Sequence, residues 1–389
     1  MGEMSSAASI RVIHVFPNSA RLTCGPCNAV IAFIECQLQH GLDVRAISPA
    51  DPHIPVDRRQ AIEHLPITEF DPAGAAPESV ALAAAGDAPA VFHFHGLSPW
   101  SDQLARTLRK KGIPYVFTSH GQLNFHGAVH GLKKTVYLNF VNRFVRNAGG
   151  LHFFTGCEAR WCKLLLPFWR GKSLVLHNLI RLEEVPAAAA RPRGPLGIAA
   201  DAFVFAYLGR LDVECKGLDC LMAAFARLAA DRNVFLVLIG PDFKMGRQTL
   251  EAQARRLGCG EKVRFTGPQT GRAKWEFLKL ADAFVFPSRW EAFGIALVEA
   301  AAAGLPVIVS RQINIAPELK ACAAALESPL SATALSQAMS RLLSDETLRR
   351  SLSAAARRWV MDTCSYEPAG PRFVEFYQSV WSGRNKHGT

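Results

Sequence analysis

Short runs of apolar residues alternate with longer amphipathic ones along almost the whole chain. In the first half RVIHVF, DVRAIS, AVFHFHG, YVFTSHG and GLHFFT read as strands. CNAVIAFIECQLQHG, stopping at Gly41, and LKKTVYLNFVNRFVRNAG read as helices. Strands that take turns with helices imply βαβ units and a parallel sheet. The alternation lapses in RLEEVPAAAARPRGPLGIAA, which is rich in Ala, Pro and Arg, has no period, and reads as a linker. It then resumes, with AFVFAYLG, VFLVLIG, KVRFTG, AFVFPS and LPVIVS as strands. GLDCLMAAFARLAA, AKWEFLKLA and IALVEAAAAG are the helices between them. The pattern predicts two Rossmann-like α/β domains, over residues 1–180 and 199–365, joined by a linker over 181–198. In open parallel sheets ligands bind beyond the carboxyl ends of the strands, so the loops there are the candidate functional segments.

A length of 389 residues, 49% of them hydrophobic and 20% charged, suits two domains with sizeable cores. The net charge of +11 favours an anionic partner: a phosphorylated small molecule, a nucleic acid or an anionic membrane. The basic residues are spread along the chain and no nucleic-acid module is recognisable, so a nucleic-acid partner is not expected. The ten cysteines are scattered, and MGEMSSAASI has neither the basic start nor the apolar core of a leader. Reduced thiols in a cytoplasmic protein are the expectation. Cys24 and Cys27 have no second pair at zinc spacing, so no metal is expected. The most apolar stretch, Ala292–Val309, is broken by Glu299 and by GLP, short of the ~20 uninterrupted residues a membrane span takes.

Two segments carry candidate chemistry. LTCGPCNAVIAF holds Cys24-Gly25-Pro26-Cys27 between a strand and a helix, the dithiol spelling of thioredoxin-type proteins. Thr23 stands where those proteins usually have Trp, and the spelling serves equally as a tight strand-to-helix loop. FVFPSRWEAFGIALVEAAAAGLPVIVS reads as strand, loop, helix, loop, strand. Glu291 lies at the loop-to-helix junction and Glu299 eight residues on, about two helical turns, which places both carboxylates near one face. The AFG between them puts backbone N–H groups at the helix start, a site for an anion or a hydroxyl. Glu299 is flanked by apolar residues, and a carboxylate in such surroundings needs a specific partner.

These segments resemble the retaining family-4 glycosyltransferases. EAFGIALVE followed by AAAAGLPVIVS looks like their signature, and YLGRLDVECKGLDCLMAAFARL is similar to their Gly-Arg-Leu…Lys-Gly segment. VLIGPD, VRFTGPQ, LADAFVFPS and, in the first half, the stretch around SHGQLNFHG extend the resemblance over nearly the whole chain. It implies a GT-B fold, two Rossmann-like domains with parallel sheets facing a central cleft, and a C-terminal helix over 366–389 that packs back on the first domain. It implies transfer of a hexose from a nucleoside-diphosphate sugar, GDP-mannose ahead of UDP-hexoses, with retention. The acceptor is a saccharide, lipid-linked, in surface polysaccharide assembly.

Residue by residue, the resemblance gives Arg210 and Lys216 the donor diphosphate, Glu299 the ribose hydroxyls and Glu291 the hydroxyls of the transferred sugar. The backbone of Phe293, Gly294 and Ile295 assists Glu291, Gly267 and Pro268 frame the base, and Gly209 belongs to the Gly-Arg-Leu turn. His120 contacts the donor sugar near its reacting carbon, and His95 divides between acceptor contact and loop support. Gly25 lets donor phosphates approach the backbone, with Cys24 replacing the glycine common in relatives. No metal or other cofactor is implied. A sugar-nucleotide hydrolase or epimerase on the same scaffold, and a catalytically silent nucleotide-sugar binder, remain as alternatives. Lys133, Lys134, Arg143 and Arg146 interleave with Tyr137, Phe140 and Phe144, which reads either as a core-facing helix or as a face that docks peripherally on an anionic membrane.

Overall fold

The computed structural model describes residues 10–20, 24–51, 60, 62–71, 77–121, 141–167, 169–186 and 193–384. The chain divides into two compact units, Met1–Leu179 with Tyr366–Thr389, and Ile180–Ser365.

In the first unit β1 (Arg11–Val15), α1 (Gly25–Gln39), β2 (Asp43–Pro49), β3 (Ile67–Phe70), α2 (Pro77–Ala85) and β4 (Ala90–His95) come first. They are followed by α3 (Pro99–Lys110), β5 (Tyr115–Thr118), β6 (Gly150–Phe153), α4 (Gly156–Leu165) and β7 (Lys172–Val175). The strands form one parallel sheet in the order β3-β2-β1-β4-β5-β6-β7.

The two faces of this sheet differ in chemistry because side chains alternate along each strand. Ile13, Val15, Phe92, Phe94, Phe117, Leu151 and Phe153 point into a core closed by α2, α3 and residues 141–145. Phe144 belongs to that core, and Arg143 pairs with Asp102 at 3.2 Å. Of this end of the basic, aromatic segment Phe144 faces the core and Arg143 and Arg146 are exposed, while Lys133, Lys134, Tyr137 and Phe140 lie outside the described residues. The other face carries His14, His93, His95, Thr118 and His152, all at most 1% exposed.

In the second unit the order is β8 (Phe203–Leu208), α5 (Leu218–Ala229), β9 (Val234–Ile239), α6 (Gly246–Arg256), β10 (Val263–Gly267) and α7 (Gly271–Leu280). Then come β11 (Ala283–Phe286), α8 (Ile295–Ala302), β12 (Val307–Ser310), α9 (Ala316–Ala321), β13 (Leu326–Ser328), α10 (Ala332–Ser344) and α11 (Glu346–Thr363). The sheet is parallel throughout, in the order β10-β9-β8-β11-β12-β13. The last helix, α12 (Tyr366–Gly383), returns to the first unit and covers its histidine face together with α1. Phe373 and Phe33 both lie edge-on to the His152 ring.

The segment read as a linker is ordered where it meets the second unit. Arg193 is 8% exposed, pairs with Asp282 at 2.7 Å and donates to the carbonyls of Leu280, Ala200 and Ala202. No sequence period reports such an anchor, because one arginine and four acceptors from distant positions make it. Among the described residues, no helix is long and apolar enough to cross a membrane.

Candidate functional site

Both sheets are doubly wound, and each reverses its strand order once, between β1 and β4 in the first unit and between β8 and β11 in the second. The crevice beyond such a reversal is where ligands bind in open α/β sheets. In the second unit the flanking loops are residues 209–217 after β8 and 287–294 after β11. These hold Gly209, Arg210, Lys216, Glu291, Phe293 and Gly294.

The two loops are stitched together. The Arg289 N–H donates to the Cys215 carbonyl at 2.9 Å, and the Arg289 guanidinium forks onto both Asp219 carboxylate oxygens at 2.7 Å. Gly217 makes the close approach possible. Its φ is +64°, and a Cβ there would lie 2.1 Å from the Pro287 carbonyl oxygen. The result is an ion pair between the Lys216 ammonium and Glu291, whose side chains keep 14% and 18% of their exposure. Arg210 is exposed, with its guanidinium carbon 4.6 Å above the Phe243 ring, so a cation stands at the mouth of the same loop. Tyr207 donates its hydroxyl to the Arg210 carbonyl at 3.0 Å and fixes that turn.

Glu291 is not on the helix face expected for it. The helix α8 begins at Ile295, after Gly294 at φ +99°, so Glu291 lies in the loop and its placement comes from Lys216. The partner that the apolar flanks of Glu299 demanded is Lys274 on α7, 2.5 Å away, with 19% and 15% side-chain exposure for the pair. Burial pushes the Glu299 carboxyl up from its ordinary value while Lys274 pulls it down. Nothing in GRAKWEFLKL singles out Lys274. Gly267 ends β10, where its carbonyl accepts from the Gly240 N–H at 2.9 Å, and Pro268 beside it is exposed.

In the first unit the loop after β1 runs into α1. Cys24 is the N-cap: its sulfur accepts from the Cys27 N–H at 3.4 Å and lies 2.7 Å from the Cys27 sulfur. Among the described residues, apart from its chain neighbours and the backbone of its own helix, nothing lies within 4 Å of where a Gly25 Cβ would stand. His120 follows β5 with φ +47°, and the Ser119 hydroxyl beside it donates to Glu158 at 2.7 Å. The His120 ring is half-buried against Phe154, and burial lowers its pKa to about 3.

His95 is 1% exposed, and its two ring nitrogens are taken by His14 at 2.7 Å and His120 at 3.1 Å, so it is joined to the His120 turn. His14, His93 and His95 have ring nitrogens within 4.8 Å of one another, the spacing of a metal-binding trio. All six nitrogens already have hydrogen-bond partners, however.

Two doubly wound parallel-sheet units in one chain are the GT-B architecture. The chain matches the family Glycosyl transferases group 1 over residues 191–359 and Glycosyl transferase 4-like domain over residues 27–178. The two matches together take in most of the chain, which belongs to these GT-B, family-4 glycosyltransferases. It is 36% identical to a lipopolysaccharide core biosynthesis glycosyltransferase of Rhizobium meliloti, over 37% of this chain and 38% of that protein. It is 27% identical to the GDP-mannose:cellobiosyl-diphosphopolyprenol alpha-mannosyltransferase of Xanthomonas campestris, over 57% and 55%. The solved HepE of Anabaena in complex with UDP is similar in fold at a TM-score of 0.76 and 17% identity, covering 95% of this chain and 100% of that one. The chain spans about a third to just over half of the length of the curated relatives it matches.

Proposed function

We propose that the protein is a retaining glycosyltransferase that moves a hexose from a nucleoside-diphosphate sugar to a saccharide hydroxyl in surface polysaccharide assembly. The observation that carries this reading is the pairing of Lys216 with Glu291 across the strand-order reversal of the second unit, with Arg210 exposed at the end of the same loop. Each charge of the pair compensates the other. A donor diphosphate draws Lys216 away and joins it with Arg210, two fixed cations that stabilise the charge growing on the departing nucleoside diphosphate. Glu291, released, accepts hydrogen bonds from the hydroxyls of the transferred sugar, beside the backbone of Phe293, Gly294 and Ile295. Glu299 receives the ribose hydroxyls with Lys274 as its counter-ion, and Gly267 and Pro268 border the base. Gly25 leaves the start of α1 open to phosphate, and His120 meets the donor sugar. No divalent metal or other cofactor is assigned, the two cations taking a metal's part.

GDP-mannose is the leading donor and UDP-hexoses the next. A lipid-linked acceptor and peripheral attachment to an anionic membrane face belong to the same reading, supported by the mannosyltransferase relative with a polyprenol-linked substrate in its name. The test is transfer from GDP- and UDP-sugars to soluble and lipid-linked saccharides, with and without anionic vesicles. Arg210→Ala and Lys216→Ala should each lose about 10²-fold, the scale for one charge partner of a transition state. Near-normal turnover in both variants overturns the assignment. Donor breakdown without transfer points to a hydrolase or epimerase, and binding without turnover to a silent binder.

A further inference from the structure

The histidine face of the first sheet is one continuous hydrogen-bonded chain, and its direction can be worked out link by link. It begins at a backbone carbonyl, Leu176, which can only accept; the His152 Nε2 lies 2.8 Å from it. The His152 Nε2 therefore carries the hydrogen and its Nδ1 the lone pair. The Thr118 hydroxyl, 2.9 Å from that Nδ1, donates its one hydrogen there. The same hydroxyl is then free only to accept from the His93 Nε2 at 2.7 Å. The His93 Nδ1 is thereby an acceptor, and the Tyr377 hydroxyl donates to it at 2.7 Å. The Tyr377 oxygen receives the Gln37 amide N–H at 3.2 Å, which turns the Gln37 carbonyl towards His14.

From that point the direction runs out along the other branch. The His14 Nε2 donates to Gln37 at 2.9 Å, the His95 Nε2 to the His14 Nδ1 at 2.7 Å, and the His120 Nε2 to the His95 Nδ1 at 3.1 Å. Each link holds one hydrogen. An extra proton on His14, His93, His95 or His152 would put two hydrogens into one bond, so these four rings are neutral. Burial acts in the same sense, holding His14 and His152 at about 4 and His93 and His95 well below their ordinary value.

We infer that this buried wire, fixed at the Leu176 carbonyl and relayed through Tyr377 of α12 and Gln37 of α1, locks His120 in the Nε2–H tautomer, which leaves the lone pair on Nδ1. Among the described residues the His120 Nδ1 has no partner. The ligand group it suits is a hydrogen-bond donor such as a sugar hydroxyl, not a phosphate or carbonyl oxygen. That the donor is a sugar hydroxyl rests on the function proposed above; the tautomer does not. His14, His95, Gln37 and Tyr377 are then positioning residues that act on the ligand only through His120.

The test is long-range ¹H–¹⁵N correlation of the full chain labelled at histidine, at about pH 7.5, with rings assigned by single His→Gln substitutions. All five rings should show Nε2–H, and Nδ1–H at His120 in the wild type overturns the proposal. Tyr377→Phe keeps the packing of α12 but removes the relay, and Gln37→Met removes it one link later. In whichever of the two keeps the native backbone spectrum, His120 should become a mixture of tautomers and transfer should fall in proportion to the Nδ1–H fraction. An unchanged Nε2–H signal in both variants overturns the wire. Full transfer by His120→Ala with the predicted tautomers intact would instead remove only the sugar-contact role.

Discussion

Glu299 and Lys274 each keep less than a fifth of their side-chain exposure, and they sit 2.5 Å apart on neighbouring helices. Removing one partner of such a pair leaves a desolvated charge, so the two substitutions are not equivalent to their sum. Lys274→Met should destabilise the second unit, at the low end of the about 3–5 kcal/mol seen for fully buried pairs. Adding Glu299→Gln should recover a good part of it. Thermal unfolding of the four proteins of the cycle measures the coupling, and additive losses would mean that the pair is only a surface contact. Glu291 and Glu299 stood out in the sequence, because a carboxylate at a helix start or inside an apolar run is conspicuous, and Arg210 and Lys216 came from the resemblance of GRLDVECKG to the family's segment. Their partners did not. Lys274 comes from a helix twenty-five residues earlier, and His14, His93 and His152 are spread over three strands. Which histidines meet depends on strand order and register, and those are long-range properties.

The strands legible as apolar runs were those of the sheet interiors, whose two faces are both covered. β3, β7 and β13 escaped the pattern, and all three are sheet edges of three or four residues with polar positions: ITEF, KSLV and LES. An edge strand with water along one side has no reason to be apolar throughout. The fourth edge, β10, was readable because VRFTG follows a glycine-bounded turn and carries Val263 into the core. Helix packing shows a comparable dependence on one position. A Cβ on Gly370 would stand 2.1 Å from the His40 ring, so this glycine sets how closely α12 lies on α1. Gly370→Ala should push the two helices apart and cost about 1–3 kcal/mol, the range for overpacking a filled site. A melting temperature equal to the wild type would show that His40 swings clear.

For the molecule as a whole, the histidine face makes stability depend on pH in a stated direction. His14, His93, His95 and His152 have folded-state values below 6.5, so the unfolded chain takes up their protons first as pH falls. Their contribution is intact above about pH 6.5 and is lost on the way down towards pH 4. For His14 and His152, held at about 4, each pH unit on the way down from 6.5 costs about 1.4 kcal/mol apiece, and His93 and His95 act in the same direction. Glu158 and Glu299, whose values burial raises, act in the opposite sense and offset part of the loss. Melting temperatures should hold level from pH 8 to 7 and fall steeply below 6.5, and a flat profile down to pH 5 would mean that the rings are not held neutral.

The return of α12 to the first unit has a consequence for the order in which the protein is made. Residues 180–365 are contiguous and can close their own sheet as soon as they leave the ribosome. The first unit is emitted earlier but lacks the helix that covers its histidine face and supplies Tyr377 to the middle of the wire. At 5–20 residues per second the intervening stretch occupies roughly ten to forty seconds, during which a sheet face whose His93 lacks its Tyr377 partner waits half covered. The part translated first is thus completed last, and a chaperone that shelters one open sheet face for that interval would act on the first unit alone.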